Sequence, residues 1–355
     1  MNNTEELRKI VTKRVIKDVL PIKGADFIEV ATIGGWQVVV KKGQFKTGDE
    51  AYFFEIDAFL PETEEAFQFL QSRQKTVEDP QMPNTYVTGH VLRTQRLRGT
   101  LSQGLVLPID TFPPLATQED ITNYFQSIGV FKYEKPLKQG VQDYYKGNFP
   151  TYLTLKTDSE RVQNLTDEFL QSLRADEWVA TEKVDGMSTT IIKKDGVLTA
   201  YSRNYEYNID KLRHTKSSHP LLAVIDRYGL EDTLPNNMVI KGELVGPKIQ
   251  GNVLKLTEPE LLLFDCEDLE TGKGGWGRLS KELQKLKVPV YDFVLPQTVE
   301  EAVEQVNKLR SNINPKMNAE GVVWWHKEHK LFPEIGGRPN FKAINNRYLL
   351  KYEAD

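Results

Sequence analysis

Residues 178–196 read WVATEKVDGMSTTIIKKDG, and this stretch says most about the fold and the chemistry of the chain. Trp178, Val179 and Ala180 favour a β-strand, and Lys183 follows while the strand pattern still holds. Asp185 and Gly186 come directly after it. A charged side chain at the edge of a buried strand is costly unless it is paired or functional, so this stretch predicts a reactive site.

The bulk composition limits the class of protein. The chain has 355 residues, 39% of them hydrophobic and 27% charged, which predicts a globular protein of about two domains. A net charge of −4 argues against coating nucleic acid with bulk positive charge. The single cysteine, Cys266, excludes an internal disulfide and a zinc site built from thiolates.

The composition also gives an expected location. A lone cysteine fits a reducing compartment. The N-terminal MNNTEELRKI has no apolar core of a signal peptide, and no run reaches the length of a membrane span. We therefore expect a cytoplasmic protein with no membrane segment.

Short strands dominate the first part of the chain. FIEVATIGGWQVVVKKG places Gly34-Gly35 between two β-branched runs, which is a strong hairpin signal. GDEAYFFEIDAFLP and TYVTGHVLRTQRLRGTLSQGLVLPID supply further strands. Five or six strands in about a hundred residues predict an OB-like β-barrel over residues 1–130.

A second domain is predicted over 151–355, after a proline-containing linker at 131–150. Asp158 or Ser159 is expected to cap a helix that would bury Val162 and Leu165. From 178 onward strands alternate with a few helices, and FKAINNRYLLKY is expected to be a late strand. The fold class is therefore α+β, with antiparallel sheets and flanking helices after the barrel.

Charged residues recur inside or at the ends of the apolar strands of this domain. Because burying each charge alone would be costly, we expect them to share one site. They are Lys183, Asp185, Arg203, Glu243, Glu320 and Lys342.

In this order the motifs resemble those of the nucleotidyltransferase superfamily of covalent polynucleotide ligases and capping enzymes. The signature K-x-D-G is Lys183 to Gly186, and it is followed by AYSRN, IKGELVG, LLLFDCED, AEGVVWW and NFKAINNRYLLKYE. KTDSERVQN, before the lysine, is similar to an element of ATP-dependent RNA ligases that carry an N-terminal OB domain. The resemblance covers nearly the whole chain.

The resemblance implies an ATP-dependent RNA ligase that joins a 3′-hydroxyl to a 5′-phosphate, with nicks as the expected substrate. Lysine attacks the α-phosphate of ATP to give lysyl-AMP, AMP moves to the RNA 5′-phosphate, and the 3′-hydroxyl displaces it. The implied cofactors are ATP, as AMP donor, and Mg²⁺ or Mn²⁺. The implied partner is RNA, the protein is expected to be a monomer, and the barrel is expected to help bind RNA or orient pyrophosphate.

The resemblance also implies roles for individual residues. Lys183 is the nucleophile. Asp185, Glu243 and Glu320 are expected around the metal ion, in part through its water. Contacts to the nucleotide are expected from Thr181, Glu182, Arg161, Asn164, Arg203, Glu243, Phe264, Glu320 and Lys342. Phe264 is expected to stack on adenine and Lys342 to contact the α-phosphate.

Two expectations concern the lysines. An amine nucleophile must lose a proton, and free lysine has a pKa of about 10.4, so we expect burial and the metal to lower the pKa of Lys183. The last family motif is usually K-x-K, but Ile344 stands at its second lysine. Either Lys342 acts alone or Lys351 contributes.

Alternatives from the same superfamily are a DNA ligase and a GTP-using capping enzyme. Both usually carry their OB domain after the catalytic domain, and only four residues follow RYLLK here. A different class is a non-catalytic nucleic-acid-binding protein that kept the fold, against which the intact lysine and glutamates argue.

Overall fold

The computed structural model describes residues 9–70, 74–82, 84–135, 142–215 and 219–352. Contacts between residues divide the chain into two compact units. The first is Met1–Pro136 together with Asn346–Asp355, and the second is Leu137–Asn345.

The strands, in chain order, are β1 (Val11–Pro21), β2 (Ile28–Ile33), β3 (Trp36–Lys41), β4 (Glu50–Phe54), β5 (Ala58–Pro61), β6 (Lys75–Glu78), β7 (Tyr86–Val91), β8 (Thr94–Leu97), β9 (Thr100–Gln103), β10 (Leu105–Pro108), β11 (Phe131–Lys132), β12 (Tyr145–Asn148), β13 (Glu160–Arg161), β14 (Trp178–Lys183), β15 (Met187–Lys194), β16 (Val197–Tyr201), β17 (Tyr205–Tyr207), β18 (Met238–Val245), β19 (Glu260–Asp268), β20 (Lys273–Gly274), β21 (Val290–Tyr291), β22 (Gly321–His326) and β23 (Asn340–Ile344). The α-helices are α1 (Gln118–Ser127), α2 (Asp167–Ser172), α3 (Ile209–Arg213), α4 (Pro220–Arg227), α5 (Leu230–Thr233), α6 (Lys281–Gln284), α7 (Val299–Asn307) and α8 (Asn346–Tyr352). Short 3-10 helices lie at Glu65–Leu70, Ile109–Thr111, Gln142–Tyr144, Val162–Asn164, Ala175–Glu177, Gln250–Asn252, Trp276–Arg278 and Pro333–Ile335.

The first unit is built on the hairpin that the two glycines predict. Gly34 has a φ of 57°, which a glycine adopts without strain, and Ile33 then pairs with Trp36. Alternate residues of β3 are buried, so β3 presents one face to the core. The strand orders are β10-β4-β1-β2-β3, β11-β5-β7-β6 and β8-β9.

The unit boundaries differ from the predicted ones at two places. The predicted linker, 131–150, contributes β11 to the first unit, where Phe131 pairs with Phe59, and β12 to the second unit. The expected late strand ends at Ile344 and is followed by α8, which contacts β8 and groups with the first unit. The mixed apolar and polar pattern of the segment does not show where the strand ends and the helix begins.

The second unit consists of two sheets, ordered β12-β17-β16-β15-β18-β19-β20 and β13-β23-β22-β14-β21. The chain passes from one to the other between β14 and β15, through Val184, Asp185 and Gly186. The K-x-D-G stretch is therefore the connection between the sheets. Each sheet packs one face on its own apolar core.

The prediction of a helix that begins at Asp158 or Ser159 is wrong. Glu160 and Arg161 form β13, and the helix α2 begins only at Asp167, where the Thr166 hydroxyl accepts from the Phe169 N–H. Threonine caps helices as aspartate does, and here Thr166 caps α2. Parallel pairing with β23 keeps the backbone of Glu160 and Arg161 extended. In the part of the chain that the structure describes, no helix combines the length and apolar character that crossing a membrane requires.

Candidate active site

One face of the five-stranded sheet carries most of the predicted site. Thr181 lies opposite Val323, Val323 opposite Lys342, and Lys342 beside Arg161 on the parallel strand β13. Because residues paired across strands share a face, and positions two apart on one strand do too, Lys183 belongs to this face as well. The opposite face packs into the core through alternate residues of the same strands, namely Trp178, Ala180, Val322, Trp324, Phe341 and Ala343.

Lys183 forms an ion pair with Glu320, whose Oε1 lies 2.5 Å from Nζ. Lys183 is opposite Gly321, the residue after Glu320, so strand pairing places the carboxylate next to the amine. The Asn345 N–H donates to the Glu320 carbonyl, which fixes the start of β22. Among the described residues no donor reaches the buried Oε2 of Glu320, which leaves that oxygen available for a ligand.

In the protein alone the pKa of Lys183 is raised, so burial by itself does not give the expected lowering, and the lowering expected from a metal ion stays a prediction. Burial alone would lower the pKa, but the carboxylates of Glu320, Glu243 and Asp185 attract the ammonium form and outweigh it. The protein's own groups therefore keep Lys183 protonated. The sequence pattern showed a lysine in a strand but not how many carboxylates the fold gathers around it.

Glu243 projects toward Lys183 from the other sheet. The Gly186 N–H donates to its carboxylate, and Ser188 lies opposite it on β15. Burial raises the pKa of Glu243 to about 8; the Lys183 ammonium lowers it, while Glu320 and Asp185 raise it. Glu243, Glu320 and Asp185 thus form an acidic group around one ammonium.

Gly186 is required for the close approach of the loop to β18. A Cβ at this position would lie 2.3 Å from the Leu244 carbonyl oxygen, which is inside contact distance. We expect Gly186→Ala to lower the free energy of unfolding by about 1–3 kcal/mol, because backbone must shift to admit the methyl group. Urea denaturation measures the loss. Gly277→Ala is the matched control, since a Cβ there meets nothing within 4 Å, and an equal loss in both variants would contradict the account.

The raised pKa of Glu243 makes stability depend on pH. The folded protein holds a proton that the unfolded chain loses near the ordinary pKa of 4.5, so stability falls as pH rises from 4.5 through about 8. Glu243→Gln removes this penalty. We therefore expect its melting temperature to exceed that of the unsubstituted protein by a margin that grows from pH 5 to pH 8.5, measured with chelator present. Glu304→Gln, on an exposed carboxylate, should show a constant difference, and a constant difference for Glu243→Gln would contradict the prediction.

The chemistry of the acidic group fits a divalent cation that keeps part of its water. Oxygen ligands are those that Mg²⁺ prefers, and Oε2 of Glu320 is buried without a donor. Within the described ranges no three side chains of His, Cys, Asp or Glu are close enough to ligate one ion together. An ion at this site would therefore be bound in part through water.

An aromatic pair lies where the two sheets meet. Phe264 on β19 stacks on Trp325 of β22, with ring centroids 5.8 Å apart and planes 18° apart. Phe264 also packs on an apolar cluster that includes Val184, the neighbour of Lys183. A flat apolar wall thus adjoins the ammonium and its carboxylates. Trp325 was missed in the sequence, although it is two residues from Val323 on the site face and strand alternation could have found it.

Glu182 does not face this site. Its side chain accepts from the Asn312 N–H at 2.8 Å, and its own backbone N–H donates to the Pro289 carbonyl. Burial raises the pKa of Glu182, against hydrogen bonds from Ser311, Asn312 and Tyr291. The structure thus uses this side chain and this N–H to hold neighbouring segments, while the Thr181 side chain lies on the site face and donates to the Val323 carbonyl.

The remaining predicted residues make contacts of their own. Arg203 pairs with Asp158 at 2.7 Å on the segment that leads to β13. Asn164 donates to Glu160. Lys351 lies on α8, where its ammonium is 4.8 Å from the Tyr352 ring centroid, and α8 groups with the first unit rather than with the sheets that carry Lys183.

Comparisons with known proteins agree with this architecture. An OB-fold domain family matches residues 10–109, and an RNA ligase family matches residues 176–344. No curated protein sequence matches the chain significantly.

Solved structures of Naegleria gruberi RNA ligase are similar over almost the whole chain. An apo mutant is 31% identical with a TM-score of 0.79, covering 97% of this chain and 98% of its own. The enzyme with PPi is 32% identical with a TM-score of 0.77, covering 98% and 100%. A mutant with ATP and Mn is 31% identical with a TM-score of 0.76, covering 96% and 98%.

These likenesses confirm the predicted fold, an N-terminal OB domain followed by an α+β nucleotidyltransferase domain. Identity above 30% over the whole length shows more than a shared fold. The chain belongs to the RNA ligase family.

Proposed function

We propose that the protein is an ATP-dependent RNA ligase that joins a 3′-hydroxyl to a 5′-phosphate through a covalent lysyl-AMP. The observation that carries the proposal is the position of Lys183, paired with Glu320 and sharing a sheet face with Lys342 and Arg161. Structures of its relatives with ATP and Mn, and with AMP and Mn, support ATP and a divalent metal as cofactors.

In the first step the Lys183 amine attacks the α-phosphorus of ATP. A phosphorus–nitrogen bond forms, the bond from the α-phosphorus to the bridging oxygen breaks, and pyrophosphate leaves. Oε1 of Glu320, 2.5 Å from Nζ, is the acceptor placed to take the proton that the amine loses. The ion pair with Glu320 holds Nζ at the end of β14, which pre-orients the nucleophile.

Lys183 can lose its proton only if the neighbouring carboxylates no longer stabilise the ammonium form. A divalent cation bound by Asp185, Glu243 and Glu320, in part through water, would neutralise their charge and lower the pKa of Lys183. In the protein alone the same three groups raise that pKa. Adenylylation is therefore expected to depend on a divalent cation through the protonation of the nucleophile.

Cationic side chains on the site face suit the phosphates. Lys342 and the buried Arg161 lie beside each other on neighbouring strands, where charge on an α-phosphate can be stabilised. Phe264 offers a ring on which adenine can stack. Arg203 extends the positive charge toward the segment at Asp158.

In the second step an oxygen of the RNA 5′-phosphate attacks the phosphorus of lysyl-AMP, the phosphorus–nitrogen bond breaks and the Lys183 amine leaves. In the third step the 3′-hydroxyl loses its proton, attacks the 5′-phosphorus of the capped RNA and displaces AMP. No further nucleophile from the protein is required, because the phosphoanhydride is already activated. We place the protein in the cytoplasm as a monomer acting on nicked RNA.

A sealing assay tests this function. An RNA duplex with one nick and a labelled 5′-phosphate is incubated with the protein, Mg²⁺ and ATP. We expect the label to move into the full-length strand, with AMP-capped RNA as a transient species. Lys183→Met should give neither product.

Parallel reactions with nicked DNA, and with GTP or ATP labelled at the α-phosphate, separate the alternatives. Sealing of a nicked DNA duplex but not of RNA would make the protein a DNA ligase. Labelling of the protein from GTP but not from ATP would make it a capping-type enzyme. Binding of the duplex without any new product would identify a non-catalytic relative.

A further inference from the structure

A second buried lysine lies beside the site but takes none of the roles described above. Lys241 is on β18, two residues before Glu243, and only 3% of its side chain is exposed. Its Nζ lies 3.2 Å from Asp265 and also pairs with Glu267.

The lysine holds the strand at the point where it bulges. Lys241 is opposite Asp265, and the next residue, Gly242, is opposite Leu263. Phe264 is therefore the extra residue of a β-bulge, a feature that re-aims side chains. The ion pair fixes the residue immediately after Phe264.

Asp265 also reaches the other sheet. Its Oδ1 accepts from the Cys266 N–H at 2.8 Å and lies 3.4 Å from Nε2 of His329. His329 follows β22 of the five-stranded sheet, and its ring centroid is 6.3 Å from that of Trp325. Trp325 is the ring on which Phe264 stacks. One carboxylate thus contacts the Lys241 ammonium from one sheet and the His329 ring from the other, beside an aromatic pair that also has one ring from each sheet.

A contribution to folding stability does not by itself explain the buried Lys241–Asp265 ion pair. Replacing a buried ion pair by apolar residues of similar volume is often neutral or stabilising, so the desolvation of Lys241 and Asp265 is not compensated by the pair alone. Polar groups that orient a functional side chain from behind commonly affect affinity strongly.

We propose that Lys241, Asp265 and His329 are positioning residues that hold the Phe264–Trp325 ring pair in place for the adenine base of ATP. The inference rests on the proposed function, since it takes Phe264 as a ring that adenine contacts. It adds three residues, none of which touches the nucleotide, and assigns them to ATP affinity rather than to the chemical step.

The test uses His329, because its side chain is 20% exposed and its removal leaves the buried Lys241–Asp265 pair intact. ATP binding is measured by calorimetry in the full-length Lys183→Ala protein with Mg²⁺, where no adduct forms. We expect His329→Ala to raise the Kd for ATP about threefold to tenfold, the range of a lost ring-stacking contribution. His329→Gln, whose amide can donate to Asp265, should restore most of the affinity.

The kinetics separate positioning from chemistry. With Lys183 present, His329→Ala should raise KM for ATP in protein adenylylation and leave kcat within about twofold. The double variant Lys241→Met with Asp265→Asn removes both charges, nearly keeps the side-chain volumes and leaves an acceptor for the Cys266 N–H, and we expect the same rise in KM. His214→Ala, at an exposed histidine at the end of α3, is the control and should change neither value.

Several results would overturn the inference. They are ATP binding by His329→Ala as tight as in its parent, an equal loss in the glutamine and alanine variants, or a fall in kcat without a change in KM. A failure of the proposed function is distinguishable, because the Lys183→Ala parent would then bind no ATP and the unsubstituted protein would not be labelled.

Discussion

A Lys183→Met variant is expected to accumulate no AMP on the protein, with a rate of adenylylation reduced at least about a thousandfold. The thioether has nearly the length of the lysine side chain but no nucleophilic nitrogen. Removing the ammonium also leaves Glu320, Glu243 and Asp185 without the cation that all three attract. The loss should therefore appear in the chemical step, before any RNA is added.

Incubation with Mg²⁺ and ATP labelled at the α-phosphate, followed by denaturing electrophoresis, measures this step. Lys193→Met is a suitable control, because Lys193 lies on β15, the next strand along the chain, and donates to the Glu231 carbonyl. The control should be labelled like the unsubstituted protein. Label retained by Lys183→Met would assign the nucleophile to another residue.

The second large effect is expected at Lys342. Lys342→Met should slow adenylylation about a hundredfold to a thousandfold, the usual cost of losing one group that stabilises charge in a transition state. The methionine keeps the length of the side chain and the strand pairing with Val323 and Arg161. Single-turnover labelling at saturating ATP measures the effect on the rate.

The same experiment decides between the two lysines of the incomplete K-x-K motif. Lys351 lies on α8, outside the strands that carry Lys183 and Lys342, and its ammonium lies over the Tyr352 ring, so we expect Lys351→Met to change the rate of protein labelling by less than about tenfold. A loss in Lys351→Met equal to that in Lys342→Met would show that Lys351 supplies the second cation. A Lys342→Met variant labelled at the unsubstituted rate would remove Lys342 from the reaction.

Strand alternation and turn chemistry predicted much of the fold. Gly34 and Gly35 predicted the β2–β3 hairpin, because glycine adopts the positive φ of a tight turn and the β-branched runs on either side favour strands. The strand-forming residues Trp178, Val179 and Ala180 also predicted β14, which ends at Lys183. These are local properties, and residues near in sequence are enough to determine them.

The misplaced elements depended on distant partners. Arg161 was expected on a helix but lies on β13, because a parallel pairing with Lys342, far along the chain, stabilises the extended backbone. The segment after Ile344 was expected to be a strand but forms α8, which contacts β8 of the first unit. Neither partner can be read from a local pattern.

The same limit applies to the site. A motif order indicated which charged residues belong together, but it did not show that Glu320 pairs with Lys183 or that the carboxylates raise the pKa of the lysine. Glu182 stands next to the nucleophile in sequence, yet strand alternation turns its side chain to the opposite face, where it accepts from Asn312. The Lys241–Asp265–His329 contacts join two sheets and became visible only in three dimensions.

The central claim is that Lys183 carries AMP. The most direct measurement is mass spectrometry of peptides from protein incubated with Mg²⁺ and ATP and digested under conditions that preserve phosphoramidates. The account predicts one AMP on the peptide that contains Lys183, linked through its Nζ. It also predicts that this adduct disappears when pyrophosphate is added to the folded protein before digestion, because pyrophosphate reverses the first step. AMP on another residue, or no adduct on a folded protein that seals nicked RNA, would contradict it.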